Sequence, residues 1–198
     1  MTAKSVRAQL AADPDLGAGN VLTTLVERGF GLDKPTFTFD TDVDGLIPAW
    51  QSLTVAELDE RVRARAATLH RHGIGRSDPV AVLVTTAAET ILSFYAAARL
   101  GAIPALVNPR VPADLAALYL SRLQAVALIA DADRREALAG RDFGIDKVIE
   151  AETIGASDPN DAPAPYRHYA EDPVAITHSS GTTGVPKGVV HSHQSLFA

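Results

Sequence analysis

Three short apolar runs constrain the middle of this 198-residue chain more than any other feature. They are Val80 to Val84 (VAVLV), Ala105 to Val107 (ALV) and Val126 to Ala130 (VALIA). Each is apolar at consecutive positions, so a strand built from it has no face for water and must lie between two layers. Helical segments separate the runs. Thr86 and Glu89 have capping-box spacing and open a helix that stops at Gly101. Ala113 to Gln124 reads as a helix with Leu115, Leu118, Tyr119 and Leu123 inward. Asp133 and Glu136 again have capping-box spacing before a short helix, and Lys147 to Glu150 forms a short strand. Alternating strands and helices with short connections predict an α/β fold: a mainly parallel sheet flanked on both faces by helices.

Upstream, Thr54 and Glu57 form a capping box and Leu53 staples onto Leu58, starting a helix over about 55–72 that ends at Gly73. Glu57/Arg61 and Asp59/Arg63 have i,i+4 spacing on it. Thr36 to Phe39 has strand propensity. Residues 1–33 read as a lead-in, helical or loose, broken at Asp13-Pro14. Residues 80–150 hold the α/β core, 151–170 form a polar, Pro-rich connector, and 171–198 hold a strand, a glycine-rich loop and the first turn of a helix. One turn cannot hold itself, so the expectation is that the chain is the N-terminal piece of a longer protein.

Composition excludes several functions. A net charge of −6 argues against a nucleic-acid partner, which needs a basic surface. The absence of Cys removes disulfides, thiolate metal sites and a Cys nucleophile. Ile91 to Val107 is interrupted by Arg99, Gly101 and Pro104, so no membrane span is expected; with no leader pattern the expectation is a cytoplasmic protein.

The chemistry lies in Ser179 to Gly188, S-S-G-T-T-G-V-P-K-G. Gly181 and Gly184 let successive N–H groups converge on one anion. Ser179, Ser180, Thr182 and Thr183 add hydroxyl donors, and Pro186 stiffens the loop beside Lys187. Lys187 supplies a mobile point charge suited to a polyphosphate. A flexible linker would need neither Pro-Lys-Gly nor the strand-like flanks Val174 to Thr177 and Val189 to Val190. The Walker pattern fails: Pro186 stands where its second Gly belongs, and Gly188 where Ser or Thr would hold magnesium. Asp131, after VALIA, is read as a helix cap and not as a magnesium ligand. His191-x-His193 has the spacing of a metal pair, but no third ligand accompanies it, so no metal site is expected. His70-x-His72 reads as a solvated helix end.

SSGTTGVPKG resembles the signature loop of the adenylate-forming (AMP-binding) superfamily, which contains acyl- and aryl-CoA synthetases, peptide-synthetase adenylation domains and luciferases. Ser52 to Leu58 (SLTVAEL), Arg99 to Arg110 (RLGAIPALVNPR) and Glu171 to Thr177 (EDPVAIT) are similar to further motifs of that family, in the same order. Val55 and His178 depart from the Tyr and the Tyr or Thr common there, and His193 resembles a His common at this point. Asn108-Pro109-Arg110 is more like CoA ligases than peptide-synthetase domains.

The resemblance implies the N-terminal part of the large domain of an adenylate-forming enzyme, incomplete over 34–198. It implies ATP, Mg2+ and coenzyme A as cofactors and a small carboxylic acid as substrate. Ser179, Ser180, Gly181, Thr182, Thr183, Gly184 and Lys187 would hold the β- and γ-phosphates, with Lys187 as the catalytic residue and Mg2+ carried by the phosphates. The implied reaction joins the acid to AMP and passes the acyl group to a thiol, that of coenzyme A, with a carrier-protein thiol as the alternative. The remaining family machinery would lie downstream, so the chain alone is expected to be inactive and to need the rest of the protein as its partner. The contrasting expectation is a non-catalytic module that binds an anion or a partner protein.

Overall fold

The computed structural model describes residues 13–179 and 187–195. A six-stranded sheet runs in the order β6-β5-β3-β4-β7-β8. Its strands are β3 (Pro79–Leu83), β4 (Ile103–Leu106), β5 (Ala127–Ala130), β6 (Val148–Glu150), β7 (Pro173–Ser179) and β8 (Lys187–Ser192). All neighbours pair in parallel except β7 and β8, which form an antiparallel hairpin. β1 (Pro35–Thr38) and β2 (Ser52–Thr54) form a separate antiparallel pair, and β2 carries too short an apolar run to read from sequence.

Strand alternation explains the two cores. Val80 and Val82 of β3 point one way, into a cluster with Leu58, Val62 and Leu69 of α2 (Val55–Arg71) and Leu92 and Ala96 of α3 (Ala87–Arg99). Ala81 and Leu83 point the other way, against Ala116, Tyr119 and Leu120 of α4 (Ala113–Leu123) and Leu138 of α5 (Ala132–Leu138). Burying one Leu of this kind contributes about 1.5–3 kcal/mol, so helices on both faces are what the doubly apolar strands demand.

Helix starts follow local chemistry, with corrections to the sequence reading. Thr54 and Glu57 make the expected reciprocal box. Glu57 is thereby committed, so Arg61 pairs with Glu60 and Asp44 instead of Glu57. The Asp59–Arg63 pair is present at 4.0 Å. At α3 only half a box forms: Thr86 accepts from the Glu89 amide, while the Glu89 carboxylate turns to buried Arg65. At α5 the cap is Asp131, as expected, and the Asp133/Glu136 spacing makes no box, because Asp131 is the residue that still has extended backbone. In α4, Leu118 is exposed and Ala116, Ala117, Tyr119 and Leu120 are buried. The inward stripe is therefore rotated toward smaller residues, as close helix–sheet contact requires.

The described part of the lead-in is anchored. α1 (Val21–Glu27) follows a turn, 17–20, that lies against His168 and His193. A Cβ on Gly17 would fall 2.1 Å from the His193 ring and one on Gly19 2.5 Å from the His168 ring, so both positions exclude any side chain. Asn20 donates to the His168 carbonyl and accepts from its amide. The helix turn expected over 194–198 lies mostly outside the described residues.

Candidate functional site

In a parallel sheet, ligands gather where the strands' carboxyl ends emerge, and most readily where successive crossovers leave in opposite directions. Two places here meet part of that description. One is the crevice between β3 and β5, where a cavity of about 300 Å³ is lined by Asp42, Asp44, Thr86, Glu89, Asp131 and Glu152. Its carboxylates repel a polyphosphate, and they are already engaged. Arg65, 1% exposed, bridges Asp44 and Glu89 at 2.6 Å each. Asp131 accepts from the Thr85 and Arg134 amides. Its role is the structural one expected from sequence.

The other place is the end of β7. Because β7 runs parallel to β4, its last residue, Ser179, emerges on the same side of the sheet as the other carboxyl ends. The chain then returns antiparallel, and Lys187 pairs directly with Ser179. These two residues hold the ends of the loop at a fixed separation. Ser180, Gly181, Thr182, Thr183 and Gly184, the remaining residues of the expected cradle, lie outside the described residues.

Alternation assigns side chains to faces. Thr177, Ser179, Lys187, Val189 and His191 share one face of the hairpin, and His178, Gly188 and Val190 share the other. On the first face Thr177 Oγ1 and His191 Nε2 are 2.8 Å apart, which continues the polar stripe below Ser179 and Lys187. Lys187 is exposed and makes no ion pair with any described carboxylate. An ammonium group beside a hydroxyl at the loop end of a hairpin suits an anionic ligand.

The two histidines of His191-x-His193 turn to different partners. His191 contacts Thr177, while His193, 2% exposed, accepts through Nδ1 from the Gly19 amide at 3.2 Å. Among the described residues no group of three or more His, Asp or Glu side chains is placed to hold a metal ion. His193 therefore supports structure. His70 and His72 are exposed at the end of α2, as their sequence position implied.

Sequence reasoning missed the role of His178. Its Nε2 accepts from the Asn108 amide at 2.9 Å, and its ring packs on Tyr119 with centroids 5.3 Å apart. The only sequence signal was that His replaces the residues usual at that position in the family that the motif resembles.

An open, mainly parallel sheet flanked by helices, ending in a hairpin whose connecting sequence is rich in hydroxyls and glycine, defines an α/β domain. The chain belongs to the AMP-binding enzyme family, whose model matches residues 28–198. It is 39% identical to 3-aminoavenalumate diazotase of a Streptomyces species over 100% of this chain and 35% of that protein. It is 34% identical to 4-coumarate–CoA ligase 3 of Oryza sativa over 74% of this chain and 28% of that protein. Among solved structures, a Mycobacterium tuberculosis fatty acyl CoA synthetase matches at 25% identity and a TM-score of 0.71, covering 91% of this chain and 36% of that one. The chain thus spans about a third of the length of the curated relatives it matches. No described helix is long and apolar enough to cross a membrane.

Proposed function

We propose that this chain supplies the ATP-phosphate hairpin of an adenylate-forming ligase. The observation that supports it is the Ser179–Lys187 pair, which brings the two ends of the glycine- and hydroxyl-rich sequence together at the carboxyl edge of the sheet, with Lys187 in no ion pair with a described carboxylate. In this reading Lys187, the hydroxyls of Ser179, Ser180, Thr182 and Thr183 and the backbone at Gly181 and Gly184 bind the β- and γ-phosphates. Mg2+ carried with the nucleotide would supply charge neutralisation there. A carboxylate oxygen of the substrate forms a bond to the α-phosphorus, and the bond from that phosphorus to the pyrophosphate oxygen breaks. A thiol then takes the acyl group and AMP leaves. The carboxylate needs no base, so the residues of this chain contribute position and charge stabilisation. Coenzyme A is the favoured acceptor, on the ligase-like Asn108-Pro109-Arg110; a carrier-protein thiol is the alternative. The reaction belongs to the whole protein, with the chain by itself inactive.

The test is acid-dependent ATP–pyrophosphate exchange by the intact protein. Lys187→Ala is expected to slow it by about 10²–10³-fold, as loss of one charge-stabilising donor does. An unchanged rate would remove Lys187 from this role.

The match to the diazotase over the whole chain favours a second reading. Diazotising an amine needs a nitrogen(III) donor, and the same hairpin would bind the nucleotide that activates it. ATP consumption that requires an aryl amine and nitrite, and not an acid with a thiol, would select this reading.

A further inference from the structure

The geometry points to His178 as a positioning residue: its Nε2 fixes the head of the phosphate hairpin against the turn that begins at Asn108. This inference rests on the reading of the hairpin as an ATP-phosphate site.

The parallel ladder between β4 and β7 is short, with Ala105 and Ile176 as its one registered pair. Past it β4 and β7 share no further registered pair with each other, although Ser179 lies three residues on. The next link between the two segments is the bond from the Asn108 amide to His178 Nε2, at 2.9 Å. A side chain thus replaces the missing rung of the ladder, one residue before the loop. Asn108 is itself set in a turn, its Oδ1 accepting from the Arg110 amide at 2.9 Å. The Arg110 segment and the hairpin are therefore tied through one imidazole.

Packing alone does not account for a histidine here. Its ring lies on Tyr119, which is 4% exposed, and Phe would fill that space. Because Nε2 accepts, the neutral ring carries its proton on Nδ1, and Nδ1 is buried with no hydrogen-bond partner among the described residues. A buried unpaired donor costs stability. An imidazole retained at that cost is explained by the acceptor it offers to Asn108.

Three substitutions separate the roles. His178→Phe keeps the ring on Tyr119 and removes the acceptor. His178→Gln places an amide oxygen near the position of Nε2, and His178→Asn places one too close to the main chain to reach Asn108. In the intact protein, amide hydrogen exchange at Asn108 and the Kd for ATP by equilibrium dialysis are read together. The expected result is that Phe and Asn speed exchange at Asn108 and weaken ATP binding by about tenfold, while Gln restores both toward wild type. Exchange at Asn108 unaltered in the Phe variant overturns the link. Faster exchange with unaltered ATP affinity overturns the positioning role and leaves the ATP reading standing. A wild-type protein that binds no ATP overturns the functional reading and the positioning role with it, whatever exchange at Asn108 shows.

Discussion

The imidazoles of His168 and His193 stack face to face, their centroids 5.6 Å apart and their planes 8° from parallel. Tyr166 meets the His168 ring edge-on, and Gly19 and Asn20 close over it from the N-terminal turn. Burial, and then the neighbouring His193, push the His168 pKa from 6.5 down to about 4, against the opposing pull of Asp172. The folded state therefore holds His168 neutral where the unfolded state takes up a proton. The stability contributed is complete above about pH 6.5 and is lost as pH falls toward 4, at up to about 1.4 kcal/mol per pH unit. Urea unfolding of wild type and His168→Phe at several pH values between 7.5 and 4 should show the shallower slope in the variant. Parallel curves would refute the assignment.

Gly17 and Gly19 are predicted to reject even a methyl group. Gly17 has φ −66, so Ala meets no backbone penalty there; the obstacle is the His193 ring. Gly17→Ala and Gly19→Ala should each cost about 1–3 kcal/mol through forced displacement of the packed rings. Gly188→Ala, whose Cβ would find its nearest neighbour at 3.4 Å, should be nearly neutral. Thermal unfolding of the three variants checks the ranking.

Arg65 neutralises two carboxylates that have little access to water, its side chain being 2% exposed beside Glu89 at 13% and Asp44 at 16%. Removing it leaves Glu89 without an ion-pair partner and Asp44 with only Arg61, at 4.0 Å. Arg65→Met should cost about 3–5 kcal/mol, and Glu89→Gln less, because Arg65 keeps Asp44. Denaturant midpoints give the comparison, and a mild Arg65→Met would show that the carboxylates rehydrate through the adjoining cavity.

Asp131 separates structural from catalytic roles near that cavity. Asp131→Ala removes the acceptor for the Thr85 and Arg134 amides and should cost about 0.5–2 kcal/mol, as loss of a helix cap does. ATP affinity should be unchanged. A selective loss of magnesium-dependent ATP binding would instead return Asp131 to the nucleotide site.

Much of the sheet was legible in the sequence because its strands are apolar on both faces, and that pattern has few alternatives. Val80 to Val84 and Val126 to Ala130 became β3 and β5 within a residue at each end. Helix starts were less legible where two acids compete. Asp131 and Asp133 are both good caps, and only the extended backbone at Asp131 decides between them. Long-range polar partners left no local trace. Nothing in α2 says that Arg65 turns inward to Asp44 and Glu89, and nothing near Ser179 says that the preceding imidazole reaches Asn108. The loop motif, by contrast, needs no distant partner to be recognised, since its glycines, hydroxyls and lysine are consecutive.

The turn at 17–20 also has a bearing on how the chain folds. The Gly19 amide and His193 Nδ1 are 174 residues apart in sequence and meet in one hydrogen bond. During synthesis, β3 to β6 can assemble as soon as residue 150 has emerged, but the N-terminal turn finds its docking surface only once His168 and then His193 follow. Contacts of such long range close late and slowly. The α/β core is thus expected to form first, with the N-terminal turn and the base of the hairpin closing together as the last step.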